Sequence, residues 1–322
     1  MISKRRYGGA VYGARVQEML SRFYQVEGKD VGAAYVNLRY LKPLEWFFRF
    51  FLLRGEKDLW VTQSFLVVVA LSLSRIKGKK LAIIYHIDNS VFSRIFRSIF
   101  FVLETTFYQK LKNYDAIVTI SEYWKDFFVR KGYRNVYKVY PGFQVDEFDI
   151  SDQEVTDWKK RFGLGGKPII YIGNCLKAKG VRESYEALKD LDVELVTSGE
   201  KRVDIPATNL NVSYRDYLCL LKASSVVVTM SKFKEGWCMT AHEAMLLKTP
   251  VIGSGLGGMR ELLEGGEQII CESFDSLKSK VEFLLSRPEE ARRLGERGYE
   301  FAKQFTLERF AKSWQQLVRD LL

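Results

Sequence analysis

The sequence predicts an α/β protein built of two Rossmann-like, doubly wound parallel-sheet domains that face each other across a cleft. Three observations carry that expectation. The chain of 322 residues exceeds what one hydrophobic core usually serves. Short apolar, β-rich runs alternate with amphipathic helical patterns along its whole length, the signature of parallel sheets covered on both faces. One stretch rich in turn formers and charge, Pro141–Lys167, divides that alternation into two similar blocks.

In the first block the strand candidates are Ala33–Leu38, Asp58–Gln63, Leu81–Ile87, Ala116–Ile120 and Val136–Tyr140, with a short strand at Ile2–Arg6 ahead of them. Helical patterns fall at Arg15–Tyr24, Phe65–Ile76, Val91–Leu111 and Tyr123–Lys131. The second block repeats the rhythm. Its strands are expected at Pro168–Ile172, Val193–Thr197, Ser225–Met230, Pro250–Gly253 and Gln268–Cys271, and its helices at Arg182–Leu188, Tyr214–Lys222, Thr240–Leu247 and Leu277–Leu285. A last helix, Leu307–Leu322, carries an apolar stripe of Phe310, Trp314, Leu317 and Leu321 that has to pack on something, and the first domain is the candidate. The expected domains are therefore 1–145, with 307–322 returning to it, and 146–306.

Composition narrows the function classes. A 47% apolar and 28% charged chain is globular in type. The opening residues, MISKRRYGGAVYG, lack the apolar core of a secretory leader. Leu59–Ile76, the most apolar stretch, is interrupted by Thr62, Gln63, Ser64, Ser72 and Ser74 and reads as a buried strand followed by a buried helix. Four widely spaced cysteines, Cys175, Cys219, Cys238 and Cys271, suit a reducing cytoplasm and give neither a disulfide framework nor a zinc cluster. The net charge of +11 is lopsided, because residues 1–150 hold 24 Lys/Arg against 14 Asp/Glu while the remainder is almost balanced. That basic half is expected to face something anionic.

The segment with the most chemistry is Ser231–Leu262, SKFKEGWCMTAHEAMLLKTPVIGSGLGGMREL. Glu235 follows a strand, and Glu243 stands eight residues later, one turn inside a helix expected to begin near Met239. Between them the amides of Gly236, Trp237, Cys238 and Met239 are the donors a helix start leaves unpaired, and such a terminus attracts phosphate. One turn thus offers two carboxylates for sugar hydroxyls with an anion seat between them.

This segment resembles the Glu-x(7)-Glu signature of retaining glycosyltransferases of family 4, which have the GT-B fold, and the likeness continues through Ala244, Met245, the KTPVIGS run, Gly257-Gly258 and Glu261. The resemblance implies that Glu235 contacts the transferred sugar and that Glu243 binds ribose hydroxyls. YIGNCLKAKG, Tyr171–Gly180, resembles the family element in which an arginine and a lysine hold the diphosphate. Lys179 fits the lysine position, whereas Asn174 stands where the arginine is expected and removes a bidentate phosphate donor, with Lys177 and Arg182 nearby as substitutes. Gly8 and Gly9, in YGGAVYG, resemble the N-terminal Gly-Gly loop that approaches the donor, and His86, at the carboxyl end of a strand, matches a histidine close to the sugar. His242 reads as a helix neighbour of Glu243. Asp190-Leu191-Asp192 reads as a helix-end turn and not as a metal motif.

The resemblance implies a nucleoside-diphosphate sugar as donor substrate, a glycan or lipid-linked hydroxyl as acceptor, and neither cofactor nor metal. The transfer expected is of a hexose-type sugar with retention, by displacement on one face without a covalent intermediate. Two aromatic and basic runs, Leu41–Lys57 and Val91–Lys112, suggest peripheral binding to an anionic membrane surface near Trp46, Arg49 and Arg54. Competing readings are a sugar-nucleotide epimerase or phosphorylase, and a non-catalytic protein of the same fold that binds glycans or membranes. Nucleic acid is disfavoured as a partner, since no reader motif is present.

Overall fold

The computed structural model describes residues 8–28, 42–87 and 104–322. The chain forms two compact units, Met1–Gly142 together with Leu307–Leu322, and Phe143–Thr306.

The described part of the first unit runs α1 (Gly8–Leu20), α2 (Lys42–Phe51), β1 (Arg54–Thr62), α3 (Phe65–Leu73), β2 (Arg75–Ile84), a helix α4 described over 104–111, β3 (Ala116–Thr119), α5 (Glu122–Arg130) and β4 (Val136–Lys138). Its strands form one parallel sheet in the order β1-β2-β3-β4. The core lies where Leu81–Ile84 runs beside Ala116–Thr119, packed with Val68, Phe107, Leu111 and Phe128. The expected strands Ile2–Arg6 and Ala33–Leu38, and the expected helix from Val91 up to residue 103, lie outside the described residues. β2 starts six residues earlier than its hydropathy suggested, because Arg75–Lys80 is held chiefly by backbone pairing to β1, with Ile76 as its one buried side chain.

The second unit runs α6 (Asp152–Phe162), β5 (Ile169–Asn174), α7 (Val181–Leu188), β6 (Glu194–Ser198), β7 (Thr208–Leu210), α8 (Tyr214–Ala223), β8 (Val226–Thr229), α9 (Met239–Leu246), β9 (Val251–Gly253), α10 (Gly258–Gly265), β10 (Ile269–Ile270), α11 (Leu277–Leu285) and α12 (Pro288–Ala302). Its parallel sheet has the order β10-β9-β8-β5-β6-β7. The chain therefore builds outward from β5 in one direction and then resumes at β8 on β5's other side. Such a reversal opens a crevice at the carboxyl ends of the two strands, where open α/β sheets bind ligands.

Three helices of the second unit were hidden from sequence reading. α6 lies in the stretch taken as a join, nucleated by a reciprocal cap in which Ser151 and Glu154 satisfy each other's backbone N–H. α10 opens with a glycine, and α12 is interrupted by Gly295 and Gly298, residues that ordinarily weaken a helix. Gly295 is required for packing, since a Cβ there would lie 2.1 Å from the Lys248 carbonyl oxygen.

The last helix, α13 (Leu307–Leu321), belongs to the first unit and packs on α1. Phe310, Trp314, Leu317 and Val318 are buried, with Val318 taking the place expected for Leu321. The Trp314 indole N–H donates to the Tyr12 hydroxyl at 3.2 Å, and that hydroxyl donates to the Val139 carbonyl at 2.9 Å, so the C-terminal helix is tied to both α1 and the end of the β4 strand. Trp314→Ala is expected to destabilise the first unit by about 3–5 kcal/mol. Chemical denaturation followed by hydrogen exchange of the β2 and β3 amides measures it; a loss below about 1 kcal/mol would contradict the packing described.

Candidate functional site

β5 and β8 deliver the key loops. After β8 the chain turns through Met230–Cys238 into α9, and after β5 it passes through a 3-10 turn, Lys177–Lys179, into α7. The Lys232 N–H donates to the Ala178 carbonyl at 2.8 Å, which ties the two loops together at the switch point of the sheet.

Glu235 is 6% exposed, and one carboxylate oxygen, Oε1, accepts from both Lys179 Nζ and Ser231 Oγ at 2.5 Å. Its backbone is fixed from the other side. The Glu235 N–H donates to the Leu256 carbonyl at 3.1 Å, and the Gly258 N–H donates to the Glu235 carbonyl at 2.9 Å. Between those bonds Gly257 has φ +70°, and a Cβ there would lie 2.5 Å from the Glu235 carbonyl oxygen, so only glycine fits. The Lys179 ammonium also lies 5.0 Å from the centre of the Phe233 ring. Burial is the largest influence on its pKa and pulls it down, but the Glu235 charge, the neighbouring Cys238 and the hydrogen bond to Glu235 together outweigh that and hold it above the ordinary lysine value, so it is a cation at neutral pH.

Glu243 sits one turn inside α9 and is 8% exposed. Its oxygens are claimed by two tyrosines of α8. Tyr214 donates to Oε1 at 2.9 Å, and the Tyr217 hydroxyl lies 3.2 Å from Oε2 and 3.1 Å from Thr240 Oγ1. Burial, followed by the Glu243 charge, pushes the Tyr217 hydroxyl well up, which keeps it protonated as a donor. Sequence reading missed both tyrosines. A helix carrying Tyr where Leu would serve packing equally well is the available signal, because a buried hydroxyl needs a partner, but that partner lies 29 and 26 residues away.

Between the two glutamates, α9 begins at Met239 as the sequence suggested. Gly236, Trp237, Cys238 and Met239 form its approach, and the first N–H groups of such a helix have no intrahelical acceptor. The Trp237 side chain does not face a ligand, because its indole is 1% exposed and donates to His242 Nδ1 at 3.0 Å. His242 is a fully buried structural histidine. Its ring stacks on Phe143 at 3.9 Å, and its Nε2 lies 3.2 Å from the Ala302 carbonyl, an arrangement that suits the neutral tautomer protonated at Nε2. Cys238 has φ +58°, left-handed backbone that costs a non-glycine residue about 1–2 kcal/mol.

The remaining sequence candidates fall as follows. Asn174 ends β5, where its Oδ1 accepts from the Tyr171 hydroxyl at 2.9 Å, and that hydroxyl also lies 2.7 Å from Ser198 Oγ. Of its two proposed substitutes, Arg182 is committed to the Asp204 carbonyl at 2.8 Å. Gly8 and Gly9 correct an expectation, because they are not a loop but the first turn of α1. Burial of Tyr12, Val16, Met19 and Leu20 on one helix face outweighs the poor helix propensity of glycine. His86 lies two residues past β2 and is exposed. These three belong to the first unit, whereas the Lys179–Glu235–Glu243 constellation belongs to the second. Asp192 of the Asp-x-Asp is paired with Lys167 at 2.6 Å on the surface. Among the described residues no group of three His, Cys, Asp or Glu side chains could hold a metal ion. A cavity of about 170 Å³, lined in part by Ser231, Arg260, Glu272 and Phe274, adjoins the site through Ser231.

Residues 152–301, nearly the whole of the second unit, match the family described as glycosyl transferases group 1. The chain is 26% identical over 199 residues to N-acetyl-alpha-D-glucosaminyl L-malate synthase of Bacillus anthracis, a match covering 55% of this chain and 52% of that one. It spans roughly half to three fifths of the length of the curated relatives it matches first. Two solved structures share its fold. Sucrose-phosphate synthase of Thermosynechococcus elongatus aligns with a TM-score of 0.76 at 17% identity, covering 98% of this chain and 94% of the other. Anabaena HepE in complex with UDP-glucose aligns with a TM-score of 0.70 at 16% identity, covering 82% and 78%. The likeness to that family thus lies in the second unit, and the chain has the two-domain, Rossmann-like GT-B fold.

The site makes one prediction about reactivity. Burial, and then the Glu235 charge, pushes the Cys238 thiol up to about 12. The other three cysteines are buried as well. Native protein at pH 8 is therefore expected to leave all four unreacted with a thiol-disulfide reagent over minutes, and to release four equivalents on denaturation. Rapid native labelling at Cys238 would contradict the description.

Proposed function

We propose that this chain, a glycosyltransferase by its second domain, moves a hexose-type sugar from a nucleoside-diphosphate sugar to an acceptor hydroxyl with retention of anomeric configuration. The observation that carries the reading is the Lys179–Glu235 contact of 2.5 Å beside the start of α9. A cation and a hydroxyl-binding carboxylate in direct contact match the one place in a sugar nucleotide where phosphate meets sugar. The HepE structure with UDP-glucose supports a donor of that class.

In this reading Lys179 and the amides at the start of α9 stabilise the charge that develops on the departing diphosphate. Glu235, locked by Ser231 and the Gly257 loop, orients a sugar hydroxyl. Glu243 receives the ribose hydroxyls, and Asn174 lends a neutral donor near the phosphates. The leaving phosphate oxygen takes the acceptor proton on the same face, so no glycosyl-enzyme ester forms and no metal is required. The acceptor is a glycan or a lipid-linked hydroxyl, and the setting is the cytoplasm or its membrane face.

Lys179→Ala is expected to lower kcat about 10²–10³-fold with a smaller change in donor KM, because the charge it meets grows toward the transition state. Steady-state release of nucleoside diphosphate measures this, and an effect confined to KM would count against the role. Glu243→Ala is expected to weaken nucleoside diphosphate binding roughly tenfold to a hundredfold, through loss of charge-assisted hydrogen bonds. A thermal-shift series reads it: nucleoside diphosphates should raise the melting temperature of the native chain and barely affect the variant. An equal shift in both proteins would remove Glu243 from the site.

A further inference from the structure

The first unit carries a surface that the donor chemistry does not use. Within α2, Phe47 packs against the core of the unit and stacks with Phe51 one turn on, while Phe48 and Leu52 are 55% and 63% exposed. Trp46 and Phe51 are also exposed. α2 packs along α3, so its inner side already has a partner and the Phe48–Leu52 stripe is its outer side. Contiguous apolar residues held outward in this way mark an interaction surface more often than scattered ones do.

The chain leaves α2 directly into a cationic ladder. Arg54 pairs in register with Arg75, Glu56 with Lys77, Leu59 with Lys79 and Trp60 with Lys80. Those two strands hold Arg54, Lys57, Arg75, Lys77, Lys79 and Lys80 against Glu56 and Asp58 as their only carboxylates. Arg75, Lys77 and Lys79 are exposed while Ile76 between them is buried, so burial does not explain the cationic composition of this part of β2. Phe51 and Leu52 therefore lie within three residues of the Arg54–Arg75 pair that begins the ladder.

We propose that α2 and the amino-terminal halves of β1 and β2 form a docking surface for an anionic lipid bilayer. Phe48, Phe51 and Leu52 enter the interface, and the ladder cations meet headgroup phosphates. The pairing of apolar side chains with clustered cations selects a lipid surface over the alternatives. A nucleic acid would use the charge but leave Phe48 and Leu52 in water, and a second copy of the chain would bring like charge against the ladder. Aromatic and aliphatic side chains partition into the headgroup boundary, and each Lys or Arg near an anionic surface adds about 1 kcal/mol. Among the described residues no helix is long and apolar enough to cross a membrane, so the contact proposed is peripheral. The inference stands apart from the donor site, and its test needs no turnover.

The experiment is cosedimentation of the full chain with vesicles of phosphatidylcholine alone or with phosphatidylglycerol, without sugar nucleotide. The native chain is expected to bind the anionic vesicles, to bind neutral ones at least tenfold more weakly, and to be released by salt. Lys77→Ala with Lys79→Ala should weaken anionic binding about 30-fold. Phe48→Ser with Leu52→Ser should weaken it by at least tenfold and leave circular dichroism and nucleoside diphosphate binding unchanged, which separates lost docking from misfolding. Equal binding to both vesicle types, or either double variant binding like the native chain, overturns the proposal. So does tighter binding to a short single-stranded oligonucleotide that depends on the same lysines, or self-association that depends on Phe48 and Leu52.

Discussion

A carboxylate withdrawn from water needs compensating charge and hydrogen bonds, and the arrangement around Glu235 follows from that requirement. With 6% exposure, its Oε1 receives the Lys179 ammonium and the Ser231 hydroxyl, and its backbone is clasped on both sides by the Leu256–Gly258 loop. Breaking a buried pair by removing one partner is far costlier than the pair's own net contribution, because a charge is left unmatched. The contact therefore fixes register between three loops that leave β5, β8 and β9. It does so at the point where the strand order reverses and a crevice opens. In the proposed function, stability and activity act on the same residues. A ligand bearing a phosphate and a hydroxyl can take over the bonds that Lys179 and Glu235 make to each other.

Glu243 is handled differently. Two phenolic donors, Tyr214 and Tyr217, bind it, and ring stacking between them holds both at the start of α8. Neutral donors orient a carboxylate without neutralising it. Beyond it, the fully buried Trp237–His242–Phe305 cluster anchors the turn from below, and Phe143 caps that cluster from the first residue of the unit. The left-handed backbone at Cys238 is the cost of turning sharply between an anchored Trp237 and a helix that must start at Met239.

Sequence reading reached much of this because the relevant signals are local. Apolar runs bounded by turns located β3, β5, β6, β8 and β9 within a residue or two, and the eight-residue spacing of Glu235 and Glu243 placed one ahead of α9 and the other inside it. The losses were of two physical kinds. Elements stabilised by tertiary contact were invisible, such as α12, whose Gly295 packs closely on Lys248 and whose Gly298 packs on Met245, and the hydrophilic start of β2, which exists through its ladder to β1. Side-chain partners distant in sequence were invisible too. Nothing in a one-dimensional pattern links Tyr214 to Glu243, or Lys179 to Glu235, 56 residues apart. At Gly8 and Gly9 the family resemblance pointed to a loop, and burial of the α1 face decided for helix.

The two units thus divide the chemical work. The second holds paired carboxylates, a lysine and a helix start on a nearly neutral body, while the first half of the chain carries most of the net charge of +11 and an exposed aromatic stripe. The central claim is that a sugar diphosphate seats at the turn from Glu235 into α9. Amide hydrogen exchange across that turn, with and without saturating nucleoside diphosphate, tests it most directly. Slowed exchange concentrated at residues 236–241 and at the Lys177–Lys179 turn is the result expected. Saturated binding that leaves those amides unchanged and protects another region would contradict it.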